Sequence, residues 1–128
     1  MKALLDTHLL IWLAMGSDRI SGQALDIVED ESNDLFFSTA SIWEIAIKAG
    51  LKRAEFVLDP RVLRRELLDN GYEELPIAGR HALAILDLPR LHGDPFDRLL
   101  VAQATVEGLV LLTADELVSR YPGPILRV

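Results

Sequence analysis

The chain has 128 residues, 50% hydrophobic and 26% charged, with a mean hydropathy of +0.22; this is enough apolar surface to offset chain entropy, which excludes a disordered linker and predicts one domain over residues 1–128. The absence of cysteine excludes disulfide frameworks, thiolate metal sites and cysteine nucleophiles. Thirteen Lys and Arg against twenty Asp and Glu give a net charge of −7, the wrong sign for gripping nucleic acid by bulk electrostatics.

Lys2 to Leu5 reads as a short buried strand ending at Asp6, and Leu9 to Leu13 continue as a largely buried helix stopped by Gly16. That apolar stretch follows Asp6, Thr7 and His8 and precedes no small-residue cleavage motif, so no secretory leader is expected. No run reaches the roughly 20 apolar residues of a membrane span, and a cytoplasmic location is the default expectation. Ser21 predicts an N-cap for a second helix with Leu25 and Val28 on its core face. Leu35 to Phe37 form a strand core, followed by polar Ser38, Thr39 and Ser41 and by the helical pattern Ile42, Ile45, Ala46, Ala49, closed by Gly50.

Asp59-Pro60 predicts a cap and first-turn proline for a helix carrying Val62, Leu63, Leu67 and Leu68 and ending at Asn70-Gly71. Leu75 to Ile77 is expected as a short strand, then a helix from Gly79 to Leu86 stopped near Pro89. Asp94-Pro95 repeats the cap, with Leu99, Leu100, Ala102 and Val106 in the helix, Gly108 closing it, and Leu109 to Leu112 as an apolar strand. A short helix and a strand from Ile125 to Val128 finish the chain. Apolar strands separated by helices require crossovers, so the expected fold class is α/β, a three-layer α/β/α sandwich on a mostly parallel sheet of about five strands.

In such a sheet chemistry gathers at the carboxyl ends of the strands. Asp6 follows the first strand, Asp115 follows Leu109 to Thr113, Glu44 is expected in the first turn of the helix after the second strand, and Asp97 in the first turn after Asp94-Pro95. Four carboxylates near one rim repel one another unless a cation lies between them, and an oxygen-only donor set suits Mg²⁺ or Mn²⁺. Such ions activate water against phosphorus, so phosphodiester hydrolysis is the matching chemistry. Each acid also has a bland role. Glu44 with Ser41 forms a capping-box pattern, Asp94 reads better as a cap than as a ligand, and Asp97 and Asp115 suit helix N-termini. Asp6 is hardest to dismiss, because an acid closing a buried strand costs desolvation energy.

Thr7, Ser38 and Thr113 lie at the same rim as supporting polar groups, although small hydroxyl residues after strands are more often turn formers. His8, His81 and His92 have no zinc-ligand spacing, and none is assigned a catalytic role. Lys48, Lys52, Arg53, Arg61, Arg64 and Arg65 cluster between two helices, and Arg98 adjoins Asp97. A solvated face is the commoner meaning of such a run, with an RNA phosphate strip, using Arg98, Lys48 and Lys52, as the functional one.

The segments Leu4-Leu5-Asp6-Thr7-His8, Ser41-Ile42-Trp43-Glu44-Ile45-Ala46, His92-Gly93-Asp94-Pro95-Phe96-Asp97-Arg98-Leu99-Leu100 and Leu112-Thr113-Ala114-Asp115 together resemble the PIN-domain ribonucleases, closest to the VapC-like toxins of type II toxin–antitoxin pairs. The resemblance implies an α/β/α sandwich with a metal-dependent endoribonuclease site on Asp6, Glu44, Asp97 and Asp115, using Mg²⁺ or Mn²⁺ and leaving 5′-phosphate and 3′-hydroxyl ends. It favours Asp97 over Asp94 as the ligand and matches Thr113 to the polar residue beside the last acid. It also implies an RNA substrate, a homodimer and an antitoxin whose basic C-terminal segment lies across the acidic groove.

Three other readings compete. A haloacid-dehalogenase-like phosphatase needs a second acid where His8 stands. A receiver domain needs a late lysine, and the last one here is Lys52. A non-catalytic module on the same fold needs no active site at all.

Overall fold

A computed structural model of the chain describes residues 1–53 and 57–128. Its five strands, β1 (Lys2–Leu5), β2 (Asp34–Ser38), β3 (Glu73–Leu75), β4 (Val110–Thr113) and β5 (Ile125–Arg127), form one sheet in the order β3-β2-β1-β4-β5, and every neighbouring pair is parallel. The intervening helices are α1 (Thr7–Met15), α2 (Gly22–Glu29), α3 (Thr39–Gly50), α4 (Pro60–Asp69), α5 (Gly79–Ala84), α6 (Pro95–Glu107) and α7 (Glu116–Ser119). The expected α/β class and parallel five-stranded sheet are therefore present. Central β1 pairs with both β2 and β4, so the chain reverses its direction across the sheet beside β1, where a parallel sheet opens its crevice.

The alternation of side chains along a strand sends one set to each face. Ala3 and Leu5 of β1, Phe37 of β2 and Leu112 of β4 join Leu9, Leu10 and Ile11 of α1, Ile45 of α3, and Leu63 and Leu67 of α4 in one buried cluster. Leu4 and Leu111, one residue out of phase, enter a second cluster with Leu99, Leu100, Val101 and Ala104 of α6 and Val118 of α7. Both faces of β1 are thus covered, which is why it carries no polar alternation.

Most start and stop signals act as expected. Ser21, Asp59 and Asp94 cap α2, α4 and α6 with their side chains. Gly16 and Gly108 close α1 and α6 at φ of 61° and 69°, a left-handed turn that glycine adopts without a Cβ penalty.

The differences are local. The edge strand covers Glu73–Leu75 rather than Leu75 to Ile77, because Pro76 has no N–H to donate to a ladder. The helix expected to reach Leu86 ends at Ala84 and tightens into a 3₁₀ turn over Ile85–Asp87. β4 begins one residue later than expected, and β5 ends one residue earlier. In α2 the fully buried position is Ala24, with Ile27 and Val28 packed against the core. Leu25 is only half-buried. Ser38, not Ser41, caps α3, which moves Glu44 into the second turn and removes its capping-box role.

Candidate functional site

The acids are set by local backbone chemistry at the strand ends. Asp6 closes β1 and is also the N-cap of α1: its Oδ1 accepts from Leu9 N at 3.0 Å, while its Oδ2 accepts from Thr113 Oγ1 at 2.5 Å. Thr113 Oγ1 in turn accepts from Asp115 N at 3.0 Å, so one buried hydroxyl ties the carboxylate after β1 to the loop after β4. Asp115 caps α7 by accepting from Leu117 N and Val118 N, leaving its second oxygen outside the cap. Asp94 similarly accepts from Phe96 N and Asp97 N, which spends it on the helix start. Asp97, one turn on, has no capping duty of its own.

Asp6, Asp97 and Asp115 line one cleft of about 280 Å³ together with His8, Trp12, Arg19 and Ala114. Glu44 stands behind this lining. The residue is 2% exposed, its Oε2 accepts from Lys48 Nζ at 2.5 Å, and its Oε1 is buried without a hydrogen-bond partner. Thr7 Oγ1 donates to Ser41 Oγ at 2.9 Å. Ser41 precedes Glu44 by three residues on α3, so this bond fixes Glu44's helix against the start of α1.

The electrostatics follow from the crowding. Burial pushes the Asp97 carboxyl up from 3.8 to about 8, with Asp94, Asp6, Glu44 and Asp115 adding like-charge repulsion. Burial also raises Asp6, against the hydrogen bonds from Thr113 and Leu9 that favour its ionised form. An unpartnered buried oxygen on Glu44 and an Asp97 that resists ionising are both deficits of positive charge, and an all-oxygen donor set fits a hard divalent cation. Among the described residues, no three or more His, Asp or Glu side chains stand close enough together to hold a metal ion between them. The carboxylates line and back an open cleft, an arrangement compatible with Mg²⁺ or Mn²⁺, which keep several waters and use one or two direct carboxylates.

The remaining expected residues fall in different places. Ser38 is fully buried and donates to Gln103 Oε1 at 2.5 Å, away from the cleft lining. Arg98 donates to the carbonyls of Pro89 and Ile85 and to Tyr121 Oη, so its guanidinium is held by its own loop. Lys48 is engaged with Glu44, and Lys52 is exposed beyond α3 at a φ of 56°. Of the basic run, Arg64 pairs with Glu74 at 2.9 Å. His81 is buried and bonded to Ala78 N and Glu107, outside the cleft lining.

Three neighbours of the acids were not signalled by the sequence. His92 Nε2 lies 3.4 Å from Asp97 Oδ2, and Trp12 and Arg19 border the cleft. Asp6, read from the sequence only as the acid closing the first strand, also serves as the N-cap of α1. Nothing local points Arg19 back toward β1.

Comparison with known proteins agrees with this geometry. The PIN domain family model matches residues 3–124. The chain is 29% identical over 125 residues to Ribonuclease VapC22 of Mycobacterium tuberculosis, covering 95% of each protein. Its fold matches VapBC2 from Rickettsia felis bound to a promoter DNA fragment, with a TM-score of 0.72 at 14% identity over 99% of this chain and 98% of that one. It also matches DNA-bound VapBC from Salmonella typhimurium, with a TM-score of 0.67 at 18% identity over 99% and 98% of the two chains. A family model that spans nearly the whole chain, on a parallel sheet whose strand ends collect the acids, places this protein in the PIN domain family.

Proposed function

We propose that the protein is a metal-dependent endoribonuclease, the toxin of a type II toxin–antitoxin pair. The observation that carries this reading is the convergence of Asp6, Asp97 and Asp115 from three distant segments on one cleft, with Glu44 near enough to add to the repulsion on Asp97; burial and these like charges push the Asp97 carboxyl up to about 8. Asp6, Glu44, Asp97 and Asp115 would hold Mg²⁺ or Mn²⁺. The chemistry supplied by such an ion when bound is activation of a water and stabilisation of negative charge on phosphate oxygens.

The protein's own groups do the positioning. Leu9 N and Thr113 Oγ1 fix both oxygens of Asp6, Thr113 carries that constraint to Asp115, and Lys48 holds one oxygen of Glu44 while the other stays unpaired. In the hydrolysis, the water oxygen bonds to phosphorus, the bond from phosphorus to the 3′ oxygen breaks, and a proton passes to that oxygen, leaving 5′-phosphate and 3′-hydroxyl ends. His92 Nε2 lies 3.4 Å from Asp97 Oδ2, beside the carboxylate that would hold the ion.

The similarity to a named VapC ribonuclease and to VapBC complexes supports an antitoxin partner. At a net charge of −7, a cationic C-terminal segment of such a partner would complement the acidic cleft. A homodimer working in the cytoplasm on RNA completes the reading, with residues 1–128 acting as one domain. The test is cleavage of RNA by purified protein with Mn²⁺, followed by end-group analysis. Cutting that is abolished by EDTA and by Asp97→Asn is expected. RNA left intact, or cut equally well by the variant, would overturn the assignment.

A further inference from the structure

The cleft that gathers the acids has a second wall with no carboxylate in it. His8 and Trp12 lie one turn apart on α1 with ring centroids 6.1 Å apart at 55°. Trp12 packs against the core beneath it and also borders the cleft beside Asp6, Asp97 and Asp115. Arg19 lines the same space from the turn between α1 and α2, where Arg19 N donates to Ser17 Oγ at 3.2 Å.

Other arginines are committed elsewhere: Arg64 to Glu74, Arg80 to Glu107 and Arg120 to Glu116. Among the described residues, Arg19's guanidinium takes part in no ion pair, although three carboxylates line its cleft and its side chain is on an exposed residue. A protein of net charge −7 repels a polyanion, so a substrate phosphate needs a local cation. Arg19 offers a planar fork suited to phosphate oxygens. The half-buried Trp12 indole borders the same cleft, and an indole is a side chain on which an unpaired base stacks.

We propose that Trp12 and Arg19 form a nucleotide subsite next to the acids, in which an unpaired base stacks on Trp12 while Arg19 holds an adjoining phosphate. The subsite selects single-stranded segments of RNA and rests on the nuclease reading given above. Trp12 and Arg19 act in substrate binding, and the acids act in the hydrolysis.

The chain has two tryptophans, and Trp43 is exposed on α3 against Phe96, so Trp43→Phe leaves Trp12 as the sole indole emitter. In EDTA, a short unpaired oligoribonucleotide should quench this emission saturably, and the same strand annealed to its complement should not. Arg19→Ala, an exposed change, should weaken binding about tenfold and lower the salt dependence by about one phosphate contact. With Mn²⁺ it should raise KM and leave kcat nearly unchanged. Trp12→Leu should weaken binding of a labelled strand by a similar factor, and Trp12→Phe should restore it, with folding checked by circular dichroism.

Equal quenching by both RNAs, or no change in binding and KM in Arg19→Ala and Trp12→Leu, would overturn the subsite. If these two variants behave as wild type while Asp97→Asn loses cleavage, only the subsite fails. If wild type never cuts with Mn²⁺ but unpaired RNA still quenches Trp12, only the nuclease reading fails.

Discussion

Replacing Asp97 with Asn should stabilise the metal-free protein, and the gain should depend on pH in one direction. In the folded chain Asp97 titrates near 8, against 3.8 for the free group. The folded state therefore holds a proton that the unfolded chain has released. Stability associated with this carboxyl is complete below about 3.8 and is lost as pH rises through the window up to about 8. At pH 7 the ceiling on that loss is about 4 kcal/mol, at 1.36 kcal/mol per pH unit. Because the side chain is 20% exposed and water and local rearrangement screen it, about 1–2 kcal/mol is the expected magnitude. For a chain of this size that is a rise in Tm of roughly 3–10 °C. Thermal melts in EDTA from pH 4.5 to 8.5 should show Asp97→Asn above wild type at pH 7.5, with the gap narrowing toward pH 4.5. Equal melting temperatures at pH 7.5, or a gap that widens on acidification, would refute the argument from burial and like-charge repulsion.

Other substitutions probe the supports around the site. Thr113→Val removes the donor to Asp6 and the acceptor for Asp115 N with little change in volume; divalent-ion affinity measured by calorimetry should fall about 10–100-fold. Lys48→Met leaves the buried Glu44 carboxylate without its cation, and urea melts in EDTA should show a loss of roughly 3 kcal/mol, partly recovered on adding Mn²⁺. Gln103→Ala strips partners from Ser38 Oγ and the Pro76 carbonyl. Chemical denaturation should show a loss of about 2 kcal/mol, with KM for RNA unchanged because none of these residues lines the cleft.

Much of the architecture was legible because it rests on local signals. Apolar runs such as Leu109 to Leu112 bounded by Gly108, and Asp-Pro caps at Asp59 and Asp94, specify elements without help from distant residues. The departures occur where tertiary demands compete. Ser38 and Ser41 are both able to cap a helix, and the choice fell to Ser38, which also meets buried Gln103. The strand at Glu73–Leu75 is held by pairing with β2 despite two acids, which its own composition disfavours.

At the site, the sequence marked the four acids because each was expected to follow a strand or open a helix, which holds for Asp6, Asp97 and Asp115 but not for Glu44 in the second turn of α3. It also marked Thr113 as a supporting polar group, which reaches Asp6 across 107 residues, but it did not reveal His92, which lies beside Asp97. Arg98 shows the converse: adjacency to Asp97 marked it for phosphate, whereas helical geometry turns it toward the Pro89 and Ile85 carbonyls.

The most direct test of the central claim is calorimetric titration of Mn²⁺ into wild type and into Asp6→Asn, Glu44→Gln, Asp97→Asn and Asp115→Asn. The account predicts saturable binding by wild type, accompanied by release of the proton held on Asp97, and markedly weaker binding in each variant. No saturable binding by wild type, or unaltered binding in all four variants, would contradict it.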